Sequence, residues 1–503
     1  MTQVELDDEA LDTRGRNITL AVFGAIVALI AFFVIQNYLT KRGHIAAMKS
    51  YEPARRIAAA RAMMARGDVA EQLQGERPSV RMVAVRALRA VGNADAAKKL
   101  IPFLKDTDHP IKELTIQSLI ALGPEVALEA AVTALGDSSE DVKKGAERVC
   151  TAFEAVAIDP LLAKLSTASR RNAANALFEI SKKSEALRQR IIAGTLPYLD
   201  ETKYDEDTQN NAIDLLDRTR AQPAVAALIR KLERNATRRA AVGALGRIGD
   251  PQATWPLLRL LPVDETLRVE IVLALGRIGD PEAIPALIAH GLGGLSEAVR
   301  NAAADALRGM GAAAVPALIA TLRDPDPNRR AGAAQALGGM RGEPQAIAAA
   351  VRALSDPHER VREAAAASLG ESGSPAVLPA LIRCFDDDSG RVAAAAARSA
   401  SAFGAAAVPL LIEALADRRP AHLYWASQAL TFIGRPAVEP LIEALGGPDP
   451  QVARYSAKLL GDLGDPRALA PLRERRERGG DPELLFAVNT ALRRLGEATA
   501  EGS

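Results

Sequence analysis

Five histidines (His44, His109, His290, His358 and His422) and two cysteines (Cys150 and Cys384) are the side chains of this 503-residue chain best able to hold a metal or attack a substrate. Their spacing suits neither task. No H-E-x-x-H pair sets two imidazoles on one helix face, and no P-loop or dinucleotide-type glycine pattern occurs. The cysteines stand 234 positions apart, outside any CxxC or zinc-ligand spacing, and read as small hydrophobes buried in helices. Gly291, Gly293 and Gly294 are not preceded by a strand pattern, so they read as an inter-helix turn, not a phosphate cradle. Catalysis needs convergent titratable groups. None converge here, so the sequence predicts a protein that is not an enzyme, with no catalytic residue, cofactor, metal or small-molecule substrate.

Two other residue sets suit recognition or packing better than reaction. Aromatics are only 4% of the chain, yet Tyr424, Trp425, Phe432, Tyr455 and Phe486 gather near its C-terminal end. Such residues are enriched where a few side chains carry most of a binding energy, so these five are the candidate partner-binding residues. The second set is a regularly placed basic residue: Arg81, Lys112, Lys143, Arg170, Arg238, Arg268, Arg300, Arg330 and Arg362. Asp or Glu often stands a few positions earlier, as with Asp326 and Asp356. This mixture predicts a structural charge ladder, with Arg238, Arg268, Arg300, Arg330 and Arg362 its clearest rungs, and not a track for phosphates. A net charge of +1 adds no field that would draw the molecule to nucleic acid.

The elements that position these residues repeat. The Leu of an "ALG" triplet, or its equivalent, falls at Leu88, Leu119, Cys150, Leu177, Leu216, Leu245, Leu275, Leu307, Leu337, Leu369, Ala400, Leu430, Leu460 and Leu492, with a mean step of about 31 residues. The basic residues stand seven positions before nine of these marks. In VRNAAADALRGMG, Val299, Ala303, Ala304, Leu307 and Met310 form a stripe of helical period. AVPALIATL supplies a second stripe. Gly-Asp-Pro at 249–251, 279–281 and 464–466 punctuates them: Gly ends one helix, Asp caps the next, and Pro takes its first position. A hairpin of this size cannot bury its own apolar stripe, so neighbours must stack. Small residues such as Ala303, Ala333 and Ala365 permit the close approach. A short step to Leu177 and a long one to Leu216 predict an insertion at 182–205 that projects from the stack. On this register Tyr424 and Phe432 occupy the places of Asn301 and Gly309, which face solvent. The last four units have Ala393, Leu423, Ala453 and Leu485 in place of the basic residue.

These units resemble HEAT repeats, in particular the bacterial HEAT-like class also found in phycobilisome lyases. The resemblance covers about residues 69–496, is plainest from Arg238 to Leu472 and degenerates between Lys143 and Asp217. It implies an all-α, right-handed α-solenoid of about fourteen hairpins, with the VR-x-x-AA helices lining a concave surface that binds protein partners. Deoxyhypusine hydroxylase resembles the same fold but uses repeated His-Glu dyads to hold two irons. Only His358-Glu359 matches here, and one dyad cannot supply such a site. Nothing in the chain points to a bilin, so a lyase activity is also set aside.

Ahead of the array, residues 18–35 carry no charge and include twelve Leu, Ile, Val or Phe; residues 36–39 bring the run to bilayer length. Those twelve favour insertion by about −5 kcal/mol. The acidic residues before the run and the absence of a small-residue cleavage site argue for a retained anchor over a cleaved signal. The expected organisation is an acidic tail at 1–17, a transmembrane helix at 18–39, a juxtamembrane helical linker at 40–68, the solenoid at 69–496 and a tail at 497–503. Lys41, Arg42, Lys49, Arg55 and Arg56 follow the run while Arg14 and Arg16 precede it. That count predicts a single-pass protein of the cell membrane with the solenoid in the cytoplasm.

Overall fold

The computed structural model describes residues 26, 29–67 and 69–496. The acidic tail 1–17, residues 18–25, 27 and 28 of the apolar run, and the tail 497–503 lie outside the described residues. Among the described residues every regular element is a helix. They form two compact units that divide after Ala227.

Each repeat opens with a long front helix. In the first unit these are α1 (Pro78–Val91), α2 (His109–Leu122), α3 (Glu140–Ala152), α4 (Arg170–Ser181) and α5 (Glu206–Arg218). In the second they are α6 (Asn235–Ile248), α7 (Arg268–Ile278), α8 (Glu297–Gly309), α9 (Pro327–Gly338), α10 (Glu359–Leu369), α11 (Gly390–Ser401), α12 (Pro420–Ile433), α13 (Pro450–Leu463) and α14 (Pro482–Arg494). One mark residue falls in each, from Leu88 in α1 to Leu492 in α14, and none exposes more than 1% of its surface. A shorter second helix follows most of them, such as Thr254–Leu260 after α6 and Val315–Thr321 after α8. Within each unit, consecutive front helices pack on one another.

The "ALG" triplet explains the spacing of that packing. A Cβ built on Gly246 of α6 would stand 2.6 Å from Ala274 Cα of α7, and one on Gly276 of α7 would stand 2.6 Å from Ala306 Cβ of α8. The same pairing joins Gly461 of α13 to Ala491 of α14 at 2.7 Å. The Gly of one triplet thus lies on the Ala before the next mark, while the Leu between them is buried. Turn chemistry follows the Gly-Asp-Pro pattern: Gly249, Gly279 and Gly464 adopt φ of 77°, 73° and 68°, a left-handed conformation open to Gly without strain. Asp250, Asp280 and Asp465 then accept the N–H of Gln252, Glu282 and Arg467 at 2.8, 3.0 and 3.1 Å.

Two regions differ from the sequence expectation. The extra residues at 182–205 do not project as a separate feature: they form a second helix, Glu185–Thr195, with Ile191, Ile192, Thr195 and Leu199 buried. The apolar i, i+4, i+5 pattern of Leu187, Ile191 and Ile192 is a packing face. In the segment expected to act as a linker, helix Pro53–Met64 packs on α1, and Ile45 and Met48 are buried in the same core.

Residues 29–48 are helical, and Leu29, Phe32, Phe33 and Ile35 lie exposed along them. Among the described residues no single helix is long and apolar enough to cross a membrane; one pair, Gly390–Ser401 with Gly404–Ala414, passes together but bends by 119°. That pair is α11 with the following helix, a repeat hairpin whose Val392, Ala396 and Leu411 are buried in the core.

Candidate partner-binding face

Tyr424 and Phe486 each stand six positions before the mark of their front helix, and Trp425 and Tyr455 five before theirs, so an aromatic row can form across successive repeats. Tyr424 and Phe432 on α12 are 55% and 57% exposed, and Phe486 on α14 is 69% exposed. Trp425 and Tyr455 are half-buried beside them. Tyr424 and Trp425 meet edge to face at 4.7 Å, and the Arg454 guanidinium lies over the Tyr455 ring at 5.3 Å. Tyr455 and Phe486 line one groove of about 590 Å³ between α13 and α14, with Ala487, Thr490 and Ala491 among the small residues of its wall. Tyr424, Trp425 and Phe432 are not among its lining residues; they extend the apolar surface on the neighbouring helix. Trp255, which the sequence did not single out, is 64% exposed on a second helix, away from this row.

Further back on the front helices the surface changes character. A trough of about 560 Å³ across α8 to α11 is lined by Asn301, Asp305, Arg308, Gln335, Arg360 and Glu363 among others. Its charges are largely neutralised in place. Arg308 donates to Asp305 at 2.7 Å and to Glu371, two repeats on, at 2.6 Å; Arg391 meets Glu363 at 3.3 Å. A phosphate backbone needs an excess of cations, whereas the four that line this trough, Arg300, Arg308, Arg360 and Arg391, face four carboxylates, Glu297, Asp305, Glu363 and Glu371.

Of the basic residues, Lys112 pairs with Asp141, Lys143 with Glu140 three residues before it, and Arg170 with Asp205 and Asp207; Arg81, Arg238, Arg268, Arg300, Arg330 and Arg362 divide into two groups. Arg330 donates through Nε and Nη2 to Asp356 at 2.9 and 3.0 Å, and Arg362 likewise to Asp387 at 2.7 and 2.8 Å. Each also donates through Nη1 to the carbonyl of the preceding loop's Asp, Asp324 or Asp356. Arg238 reaches Asp264 at 3.1 Å and, in the first unit, Arg81 holds Asp106 at 2.7 and 2.9 Å. The acid partner therefore lies 25 or 26 residues after the Arg, in the loop that opens the next repeat, and not a few residues before it. Arg268 and Arg300 depart from the ladder. The loop that should answer Arg268 carries Gly294 in place of the acid, and in the loop after Arg300 both Asp324 and Asp326 are met by Arg329, at 3.2 and 4.0 Å. Arg268 instead donates to the loop carbonyl of Leu261 and to Glu265, three residues before it, at 3.4 Å, and Arg300 to the carbonyls of Gly294 and Leu295. Burial raises the carboxyl pKa of Asp356 and Asp387. The Arg hydrogen bonds, with the N–H groups of His358 and Ser389, outweigh it and hold both below the usual carboxylate range.

Where the last units lack the basic residue, Leu423 and Ala453 are buried in its place. There Arg419 and the buried His422 reach back to Asp386, the imidazole Nδ1 lying 2.8 Å from its carboxylate. Burial, then the nearby Arg419 charge, lowers the His422 pKa. No group of three or more His, Cys, Asp or Glu able to hold a metal occurs among the described residues. Burial pushes the Cys150 thiol up to about 12 and that of Cys384 up to about 11. Both are poor nucleophiles.

Helical hairpins stacked within each unit, with consecutive front helices packed on one another, define an α-helical solenoid. The chain belongs to the HEAT-repeat family: the model for HEAT repeats matches residues 68–150, 227–308, 315–402 and 408–493, and that for the PBS lyase HEAT-like repeat matches residues 299–324. No curated protein matches the chain. Among solved structures it is similar to importin beta in an ammonium sulfate condition, at 13% identity and a TM-score of 0.44, over 90% of this chain and 72% of that one. It is also similar to the karyopherin Kap121p bound to the extreme C-terminus of the protein phosphatase Cdc14p, at 12% identity and a TM-score of 0.39, over 91% of this chain and 70% of that one.

Proposed function

We propose that this chain is a scaffold without catalytic activity, tethered to a membrane by residues 18–39, whose α12–α14 face holds a protein partner. The exposed aromatic row at Tyr424, Phe432 and Phe486 carries the reading. Burying each such ring against a partner is worth about 1.5–3 kcal/mol, and a cluster on one face is the arrangement of a binding hot spot. The tether is supported by the uncharged run and by the outward apolar side chains of its described part, Leu29, Phe32, Phe33 and Ile35. Lys41 and Arg42 follow the run at once, and the positive-inside rule favours a cytoplasmic solenoid. Anchoring would raise the effective concentration of a membrane-bound partner.

Proximity labelling from the intact chain, repeated with the Tyr424→Ser, Phe432→Ser double variant, tests the face. The expected outcome is loss of a specific labelled partner at unchanged melting temperature. Unchanged labelling with a lowered melting temperature would reassign the rings to packing. A reporter fused to the C-terminus that is active only in the cytoplasm tests the orientation, and an inactive reporter would reverse it.

A further inference from the structure

Resting on the reading of this face as protein-binding, we infer that the α13–α14 groove takes a linear protein segment in which apolar anchors alternate with acidic residues. The groove is apolar in its centre, at Tyr455, Phe486 and Ala487, and three cations, Arg454, Lys458 and Arg494, line it against the single carboxylate of Glu483. Two of the cations are already occupied: Arg454 pairs with Glu483, and Arg494 pairs with Asp462 from outside the lining. Lys458 makes no ion pair among the described residues and is exposed one turn beyond Arg454 and Tyr455 on α13. A free ammonium beside exposed rings selects a carboxylate next to an apolar side chain. Glu483 in the lining, and Asp462 on Arg494, disfavour a strand charged at every phosphate more than a segment whose acids are spaced by apolar residues.

The dimensions fit such a segment. Adjacent packed helices lie about 8–10 Å apart, so the row from Tyr424 and Trp425 through Tyr455 to Phe486 spans about 20 Å. An extended chain covers that distance in about six residues and presents alternate side chains to opposite sides. One set docks on the rings while the other meets Lys458 and the rim. The small side chains of Ala487, Thr490 and Ala491 let the segment's backbone approach.

The test is selection of a phage-displayed random-peptide library on the detergent-solubilised full chain, followed by fluorescence anisotropy of the enriched peptides with wild type, Lys458→Glu and Phe486→Ser. Melting curves confirm that both variants, altered at exposed positions, remain folded. The expected peptides interleave aromatic or aliphatic residues with Asp or Glu, and each variant weakens them about tenfold or more. Neutral or basic peptides that still depend on Phe486 would overturn the acidic class and leave the protein-binding reading intact. Enrichment insensitive to Phe486→Ser would overturn both. Oligothymidylate displacing the peptides at equal concentration would replace the protein segment with a nucleic-acid strand.

Discussion

Replacing Asp387 by Asn removes one charge from the α10–α11 junction while leaving an oxygen for the Ser389 N–H, which Asp387 now accepts at 2.9 Å. The Arg362 and Asp387 side chains are 16% and 9% exposed, so their pair is largely shielded from water. Hydrogen bonds to a charged group are worth about 1.5–3 kcal/mol each, and stranding one member of a fully buried pair costs about 3–5 kcal/mol. Arg362 is not stranded, because the carbonyls of Asp356 and Pro357 still accept from Nη1. The loss is therefore nearer the low end, about 2 kcal/mol. Interface terms in a solenoid act locally. Hydrogen exchange read by mass spectrometry should speed up about 30-fold in α10, α11 and the loop between them, with α6 and α7 unchanged. The pH dependence carries the sign. The folded pKa of Asp387 lies below its unfolded value near about 3.9, so the pair stabilises fully above that value and its contribution disappears as pH falls through the folded pKa. Wild-type protection at this junction should decline as the pH is lowered below about 4, and the Asn variant should lack that part of the decline. A change under twofold, or one spread evenly over the unit, would refute the idea that the Arg362–Asp387 bridge clamps the two repeats.

Other consequences are equally direct. Gly246→Val forces a branched side chain into Ala274, where even a Cβ would sit 2.6 Å from backbone, and should cost about 1–3 kcal/mol in chemical denaturation. Gly309→Ala, with nothing within 4 Å of the new Cβ, should instead be neutral or stabilise by up to about 1 kcal/mol. Iodoacetamide near pH 8 should leave Cys150 and Cys384 unmodified in the native protein and alkylate both after denaturation, since burial raises both thiol pKa values.

The repeat was legible because its signals are local. A mark of helical period and a Gly-Asp-Pro turn each act within a few residues, and the fourteen front helices stand where those signals put them. What lies between repeats was harder to read. The Arg330–Asp356 and Arg362–Asp387 bridges join residues 26 and 25 apart, a spacing that only stacking explains, and the acids a few residues upstream were the more obvious partners. The Gly of "ALG" resembles a helix-ending residue until the neighbouring Ala is placed against it. The stretch at 182–205 suggests a projection by its length alone, whereas burial of Ile191 and Ile192 seats it against the stack. At the aromatic face, counting from the marks placed Tyr424, Phe432 and Phe486 on the surface. It could not find the groove, whose Arg454, Lys458 and Thr490 carry no distinguishing pattern in the chain.

Two successive arginines, Arg268 and Arg300, close back on their own loops instead of reaching the next repeat. The stretch from α7 to α9 is consequently fastened by apolar contact and lacks the bidentate bolt found at Arg330 and Arg362. Apolar surfaces slide more readily than paired charges, which must break two directed bonds before they move. Under a pull or twist applied along the second unit, strain should concentrate in these turns, like a spring wound with two coils of thinner wire.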